Sequence, residues 1–179
     1  MPKLKTHSFM KYTGAVKNIF GAIPGMKKAE YHLRMPEADN FALMLVDLAR
    51  LVNPQLNIMD AVHGMEGAGP SAGEKRKFGY LMASSSSFAL DVAGTYLFNM
   101  NLEEVPTIYQ AGQQGLINSF DEVKIYGDVV IPAENTKVPI INKSDTRNVN
   151  NLPSFLANIV NKLLKPRPIF NTDKCVKCG

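Results

Sequence analysis

Acidic residues are missing from the start of this chain, since none precedes Glu30 although six lysines lie in the same stretch. Long apolar runs are missing too, because no stretch approaches the roughly 18 residues that a membrane-spanning helix needs. The lysine-bearing start has neither the apolar core nor the cleavage pattern of a signal peptide. We therefore expect a soluble, cytoplasmic protein without a membrane partner, and an anion as the natural ligand of the basic segment.

Cysteine is scarce as well. The two cysteines, Cys175 and Cys178, lie three positions apart, which excludes a disulfide framework. Two thiolates at this spacing resemble the first half of a ferredoxin cluster motif, but a [4Fe–4S] cluster takes four ligands. We expect Cys175 and Cys178 to be metal ligands of an incomplete 4Fe–4S motif.

The overall composition is that of a globular protein. Of the 179 residues, 45% are hydrophobic and 20% are charged, which suits one domain with a real hydrophobic core. The net charge of +4 and the pI near 9.0 are mild. Because the excess charge lies in the first thirty residues rather than along a helix face, nucleic acid is not the expected partner.

Apolar patterns alternate between the period of a strand and that of a helix. Strands are predicted at residues 2–6, 56–60, 78–83, 123–126 and, as an edge strand, 138–141. Helical character is predicted at residues 14–20, 38–52, 88–98, 103–113 and 152–164. This alternation predicts an α/β fold with a layered, mostly parallel sheet and flanking helices. Asp91 interrupts an apolar helix, so we expect it to be buried beside a lysine or in another salt bridge.

Polar residues surround the end of the first predicted strand, where open α/β sheets place their ligands. The residues expected to bind a ligand there are Lys5, Thr6, His7, Thr13, Gly14, Lys17 and Asn18. His7 and Lys17 are ten residues apart across the loop at the strand end, close enough for both to face one crevice. A partly desolvated lysine can lose its proton or form a covalent adduct, and histidine titrates near neutrality. The alternative is structural, in which Lys17 neutralises an acid and His7 caps the turn.

A second group follows the next predicted strand. Asp60, His63 and Glu66 lead into a glycine-rich loop at residues 64–73, which contains Gly67 and Gly69. A carboxylate at a strand end can hold Mg²⁺ or orient a base, and such a loop either approaches a ligand closely or turns sharply. We expect these five residues to bind the ligand from the opposite side of the same crevice.

Several motifs together resemble one known family. They are Pro-Lys-Leu-Lys-Thr-His at 2–7, Thr-Gly-Ala-Val-Lys-Asn at 13–18, Ile-Met-Asp-Ala-Val-His-Gly-Met-Glu-Gly-Ala-Gly-Pro at 58–70, Ala-Leu-Asp-Val-Ala at 89–93 and Glu-Val-Pro-Thr-Ile at 104–108. The chain is identified as a member of domain-of-unknown-function family 362, often labelled iron–sulfur centre proteins. The resemblance implies an α/β domain at residues 1–170, part of a larger domain whose N-terminal portion is missing, and the truncated start of a ferredoxin-like 4Fe–4S module at residues 171–179.

The stretch from His7 to Gly25 is also distantly similar to nickel-dependent lactate racemases. In those enzymes a histidine does proton or hydride-coupled work, and a lysine ten residues further on anchors a nickel-pincer nucleotide. The similarity implies that His7 is a catalytic acid or base and that Lys17 attaches an anionic, nucleotide-type cofactor. The racemase loop is richer in glycine near its lysine, and Asn18 is not part of that pattern.

Three functions stay open at this point. In the first, the chain is a fragment of a 4Fe–4S protein whose α/β domain binds a small anionic ligand or cofactor and whose ferredoxin module transfers electrons to a redox partner. In the second, a racemase-like or isomerase enzyme uses His7 and Lys17 with a tethered cofactor. In the third, the domain is a non-catalytic binding module. Enzymatic activity, as an oxidoreductase or a racemase, is thus left open, and a complete 4Fe–4S cluster is expected only in the full-length protein.

Overall fold

The computed structural model describes residues 1–139, which form a four-stranded sheet with helices. The strands are β1 (Lys3–His7), β2 (Lys11–Thr13), β3 (Asn57–Glu66) and β4 (Glu74–Ser84). The α-helices are α1 (Ala15–Asn18), α2 (Gly25–Arg34), α3 (Ala38–Val52), α4 (Ser87–Leu97) and α5 (Pro106–Gln113), with 3₁₀ turns at Ile19–Ala22, Leu102–Glu104 and Phe120–Glu122. The predicted helix at 152–164, the boundary at residue 170 and both cysteines lie outside the described residues.

The sheet confirms the α/β class but is mixed rather than mostly parallel. The strand order is β2-β1-β3-β4, in which β1 pairs parallel with β3 and the two outer pairs are antiparallel. The reason lies in the connections, because a parallel pair needs a crossover of a dozen or more residues. The helices α1 to α3 supply that crossover between β1 and β3. The loop between β3 and β4 is too short for one, so these two strands form a hairpin.

One face of the sheet is covered by the hydrophobic core. Alternate residues of β1 and β3, including Leu4, Met59 and Ala61, are fully buried in a cluster that also contains Leu90 of α4 and Phe98. A second cluster joins the β1–β2 turn to α1 and α3 and is formed by Met10, Val16, Phe20, Phe41, Ala42, Leu45 and Ala49. The helices that follow β2 and β4 therefore pack on the same side of the sheet.

The other face of the sheet, here called the open face, is uncovered by the described residues. Ile58 and Val62 of β3 remain 37% and 41% exposed, and Leu81 of β4 remains 68% exposed. From Lys75 onward, exposed residues of β4 alternate with partly buried ones. Lys3 and Lys5 of β1 lie on this open face, because the intervening Leu4 points into the core.

Most predicted elements are confirmed, with shifted ends. The helix at 38–52 is confirmed at both ends, since Asp39 lies in its first turn and Asn53 closes it in the left-handed conformation. The helix at 88–98 begins one residue earlier, where the Ser86 hydroxyl accepts the Ala89 backbone N–H at 3.2 Å. The start predicted at Glu103 is a 3₁₀ turn, and α5 itself begins at Pro106.

Other predictions of secondary structure are wrong. Residues 123–126 are not a strand, and within the described part no strand partner lies beside them, so Tyr126 remains 89% exposed. Val138 likewise belongs to no strand, whereas the end of that predicted edge strand lies outside the described residues. Helix α2 was not predicted, because Pro24 and Gly25 indicated a stop; Pro24 instead precedes the helix as its N-cap. None of the helices in residues 1–139 is long and apolar enough to cross a bilayer.

Candidate functional site

The end of β1 lies against the glycine-rich loop that follows β3, as predicted. The Ser8 backbone N–H donates to the Gly69 carbonyl at 2.9 Å, and the Thr6 hydroxyl donates to the Gly67 carbonyl at 2.9 Å. A Cβ atom at Gly69 would collide with the Thr6 carbonyl, so only glycine allows the loop to approach this closely. The parallel pairing of β1 and β3 therefore brings the end of β1 beside Gly67 and Gly69, two of the five residues predicted on the other side of the crevice.

His7 closes β1 and is 9% exposed. Its Nδ1 accepts the backbone N–H groups of Phe9 and Met10 at 3.1 and 3.3 Å. Burial, followed by the positive charges of Lys17 and Lys5, lowers the pKa of His7 from its ordinary value of 6.5 to about 4. His7 is therefore neutral at pH 7, and because Nδ1 is an acceptor, its single proton lies on Nε2.

Lys17 lies on α1, where it is partly buried among other cations. Burial, followed by the charges of Lys5 and Lys28, lowers the pKa of the Lys17 ammonium. No carboxylate among residues 1–139 lies within 4.0 Å of Lys5, Lys17 or Lys28. The structural alternative for Lys17, neutralisation of an acid, thus finds no acid in the described part of the chain. The structural alternative for His7 does occur, since its Nδ1 caps the turn after β1. We call Lys5, Lys17, Lys28 and His7 the basic cluster.

His32 lies next to this cluster. Its ring stacks on Phe41 with centroids 4.4 Å apart and meets Phe20 edge to face at 5.6 Å. Burial and the charge of Lys17 lower the pKa of His32. A second neutral histidine thus lies beside Lys17 at pH 7, which leaves the positive charge of the cluster on the lysines.

Helix α1 is held in place by a buried carboxylate. Asp91 of α4 is 1% exposed and accepts the backbone N–H groups of Ala15 and Val16 at 2.5 and 3.0 Å. The expected lysine partner is wrong, since Tyr12 and these two amides surround the carboxylate instead. Burial raises the pKa of Asp91 to about 7, although its hydrogen bonds act in the opposite direction. Asp91 thereby fixes the start of the helix that carries Lys17.

The structure does not gather Asp60, His63 and Glu66 in a loop. All three lie within β3, whose pairing with β4 extends to Glu66. Asp60 pairs with Lys3 at 2.7 Å, whereas Glu66 is 7% exposed and accepts from Arg76 at 2.9 Å. These carboxylates are thus engaged with different cations, and no cluster of three potential metal-ligating side chains occurs in residues 1–139.

Several other residues that were predicted to bind the ligand make their contacts within the protein instead. Thr6 is fully buried, and Thr13, 4% exposed, donates its hydroxyl to the Lys5 carbonyl at 3.4 Å. Gly14 is buried against Asp91 and Tyr12, so a Cβ atom there would overlap both side chains. Asn18 ends α1 and is exposed. Of the predicted residues, Lys5, His7 and Lys17 are the ones that are linked electrostatically, since the lysine charges add to the effect of burial on the pKa values of His7 and Lys17. Gly67 and Gly69 contact Thr6 and Ser8 at the end of β1.

A pocket of about 510 Å³ lies on the open face of the sheet beside this loop. Its lining includes Lys3, Lys5, His63, Met65, Pro70 and Lys75. Met65 on β3 pairs with Lys5 of β1 on one side and with Lys75 of β4 on the other. Lys5 is also a member of the basic cluster, so this one lysine is shared by the pocket and the cluster.

Sequence reasoning missed Lys75, Met65 and Pro70. The predicted strand began only at Phe78, whereas β4 begins at Glu74. Residues 74–77 are all charged, so no alternation of apolar and polar residues indicated a strand that begins before Phe78. The pairing of Lys75 with Met65 depends on the register of the hairpin, which the sequence pattern alone did not show.

Comparisons with known proteins agree with the family resemblance. The profile of a family described as "Domain of unknown function (DUF362)" matches residues 1–96. The thylakoid-associated protein sll1697 of Synechocystis is 38% identical over 117 residues, which cover 65% of this chain and 36% of that protein. No solved structure matches, and the matches include no lactate racemase, so that similarity stays a prediction. The family match covers more than half of the chain, which therefore belongs to the DUF362 family.

Proposed function

We propose that this α/β domain binds a small anionic ligand at the basic cluster. The observation that carries the proposal is the partly buried Lys17 ammonium, which lies among other cations with no carboxylate within 4.0 Å among the described residues. A desolvated charge among like charges raises the free energy of the folded state. An anion bound between Lys5, Lys17 and Lys28 would remove that cost, so ligand binding and stability are coupled.

The His7 geometry supports binding more than proton abstraction. The lone pair of Nδ1 is occupied by the amides of Phe9 and Met10, and Nε2 has no partner among the described residues. Because Nε2 carries the proton of the neutral ring, it can donate a hydrogen bond to an anion. A general base would need a free lone pair at that atom. We therefore assign His7 a binding role and rank the racemase-like function second.

Isothermal titration calorimetry with orthophosphate and pyrophosphate tests the proposal. We expect Lys17→Gln to weaken binding about tenfold or more, because a charge-assisted contact in a partly desolvated place is lost. Lys27→Gln is the matched control, since Lys27 is an exposed lysine on α2 outside the cluster. Equal affinities of the two variants, or no binding of either anion by the unmodified protein, would contradict the proposal.

We further propose that Cys175 and Cys178 contribute two thiolates to a 4Fe–4S cluster in a longer protein, which would pass electrons to a redox partner. The support is their spacing alone, since both lie outside the described residues. Iron and acid-labile sulfide would be measured in the full-length protein, purified without oxygen. Cys175→Ser should lower both contents, whereas Ser71→Ala, a change outside the motif, should leave them unchanged. Equal iron in the Cys175→Ser variant would refute this assignment.

A further inference from the structure

The pocket on the open face has more volume than a small anion fills. Its 510 Å³ fall within the range of about 300–1,000 Å³ that is typical of sites for small organic molecules. Met65 and Pro70 give it an apolar lining, and no acidic side chain of residues 1–139 lines it. Free phosphate would leave this apolar surface in water, whereas an organic group would cover it.

The charges of the pocket lie on two sides of that apolar surface. Lys5 and Lys75 pair with Met65 from the two neighbouring strands. Since neighbouring strands lie about 4.8 Å apart, the Cα atoms of these lysines are roughly 10 Å from each other. Neither ammonium has a carboxylate within 4.0 Å among residues 1–139, whereas Lys3 is paired with Asp60. Two uncompensated cations thus flank one apolar side chain.

We propose that the ligand is an organic anion with two negatively charged ends separated by an apolar or aromatic body. One charged end binds at the basic cluster, through Lys5 and Lys17. The body lies over Met65 and Pro70, and the second charged end reaches Lys75. This inference rests on the proposed function, because the first charged end occupies the anion site described above.

Two phosphate esters with matched bodies separate this inference from simple anion binding. Phenyl phosphate carries one charged end and an aromatic ring, and 4-carboxyphenyl phosphate adds a second charge on the far side of the ring. We expect 4-carboxyphenyl phosphate to bind about threefold to fivefold more tightly in calorimetry, because a partly exposed ion pair contributes that much. Lys75→Gln should abolish this difference between the two esters.

Lys77→Gln is the control. Lys77 lies on the same face of β4 two residues after Lys75, but it pairs with His63 rather than with Met65. This variant should retain the preference for 4-carboxyphenyl phosphate. If the two esters bind equally to the unmodified protein, or if the preference survives in Lys75→Gln, the inference is wrong. Orthophosphate binding that still depends on Lys17 would then leave the proposed function intact, whereas orthophosphate binding unaffected by Lys17→Gln would overturn both.

Discussion

Asp91 in the middle of α4 accepts the backbone N–H of Ala15 at 2.5 Å and so caps a helix that lies more than seventy residues earlier in the chain. Together with the Val16 amide at 3.0 Å, this contact satisfies two buried donors at the start of α1. The short helix has no other side-chain cap. The position of Lys17 therefore depends on a carboxylate in a different helix.

Asp91→Ala should lower the free energy of unfolding by about 2–4 kcal/mol, because two buried N–H groups lose their acceptor. Asp91→Asn keeps one acceptor oxygen and should lose less. Urea unfolding at pH 7 measures both values. The control is Asp39→Ala, since Asp39 is exposed in the first turn of α3 and should cost about 0.5 kcal/mol. Equal losses for Asp39→Ala and Asp91→Ala would show that the cap contributes little.

Gly14 immediately precedes α1 and is packed against the Asp91 carboxylate and the Tyr12 hydroxyl. A Cβ atom at this position would overlap both groups, which are themselves buried. Gly14→Ala should therefore destabilise the domain by about 1–3 kcal/mol, as overpacking does elsewhere. Gly21→Ala is the matched substitution, because a Cβ atom there meets nothing within 4 Å. Thermal unfolding of the two variants would be compared, and a Gly14→Ala protein as stable as Gly21→Ala would contradict this packing argument.

Local patterns predicted the parts of the fold that depend on neighbouring residues. The helix at 38–52 follows from its apolar period and from the Asn-Pro stop at residues 53–54, and the structure has the same bounds. The contact between the end of β1 and the glycine-rich loop was also predictable, because parallel strands end at one edge of a sheet. The direction of β4 was not, because the loop before it had no pattern that distinguished a hairpin from a longer connection.

Other features depend on pairings that no local pattern contains. Residues 123–126 have the apolar pattern of a strand, but among the described residues they pair with neither edge strand of the sheet, β2 or β4. The position of Asp91 in an apolar helix predicted a buried charge. Its partners could not be predicted, because they include the backbone amides of Ala15 and Val16. Every residue except proline has such an amide, so the sequence does not distinguish these two. The Lys5–Met65–Lys75 arrangement needs the register of three strands at once.

If Lys17 serves to bind an anion, it should lower the free energy of unfolding of the ligand-free protein. Its pKa is lowered by burial first and by Lys5 and Lys28 next, so the folded state disfavours the charged ammonium at pH 7. Lys17→Met should therefore raise the free energy of unfolding, by up to about 1 kcal/mol because the group is only partly buried. The gain should shrink in 1 M salt, which screens the repulsion. Urea unfolding without phosphate measures the effect, and a loss of stability would mean that Lys17 makes a stabilising contact.

His7 should make stability depend on pH below neutrality. Its folded pKa of about 4 lies below the ordinary 6.5, so between these values the unfolded chain binds a proton that the folded chain does not. The stability due to neutral His7 is thus complete above pH 6.5 and is lost as the pH falls towards 4. Asp91, with its pKa raised to about 7, has the opposite slope in this range, since its folded form binds the proton first. Urea unfolding at pH 7 and pH 5 should therefore compare the unmodified protein with the His7→Asn variant. Asparagine is chosen because it keeps an acceptor for the Phe9 and Met10 amides. The advantage of the unmodified protein should be smaller at pH 5, and an advantage that is equal at both pH values would show that His7 titrates normally in the folded state.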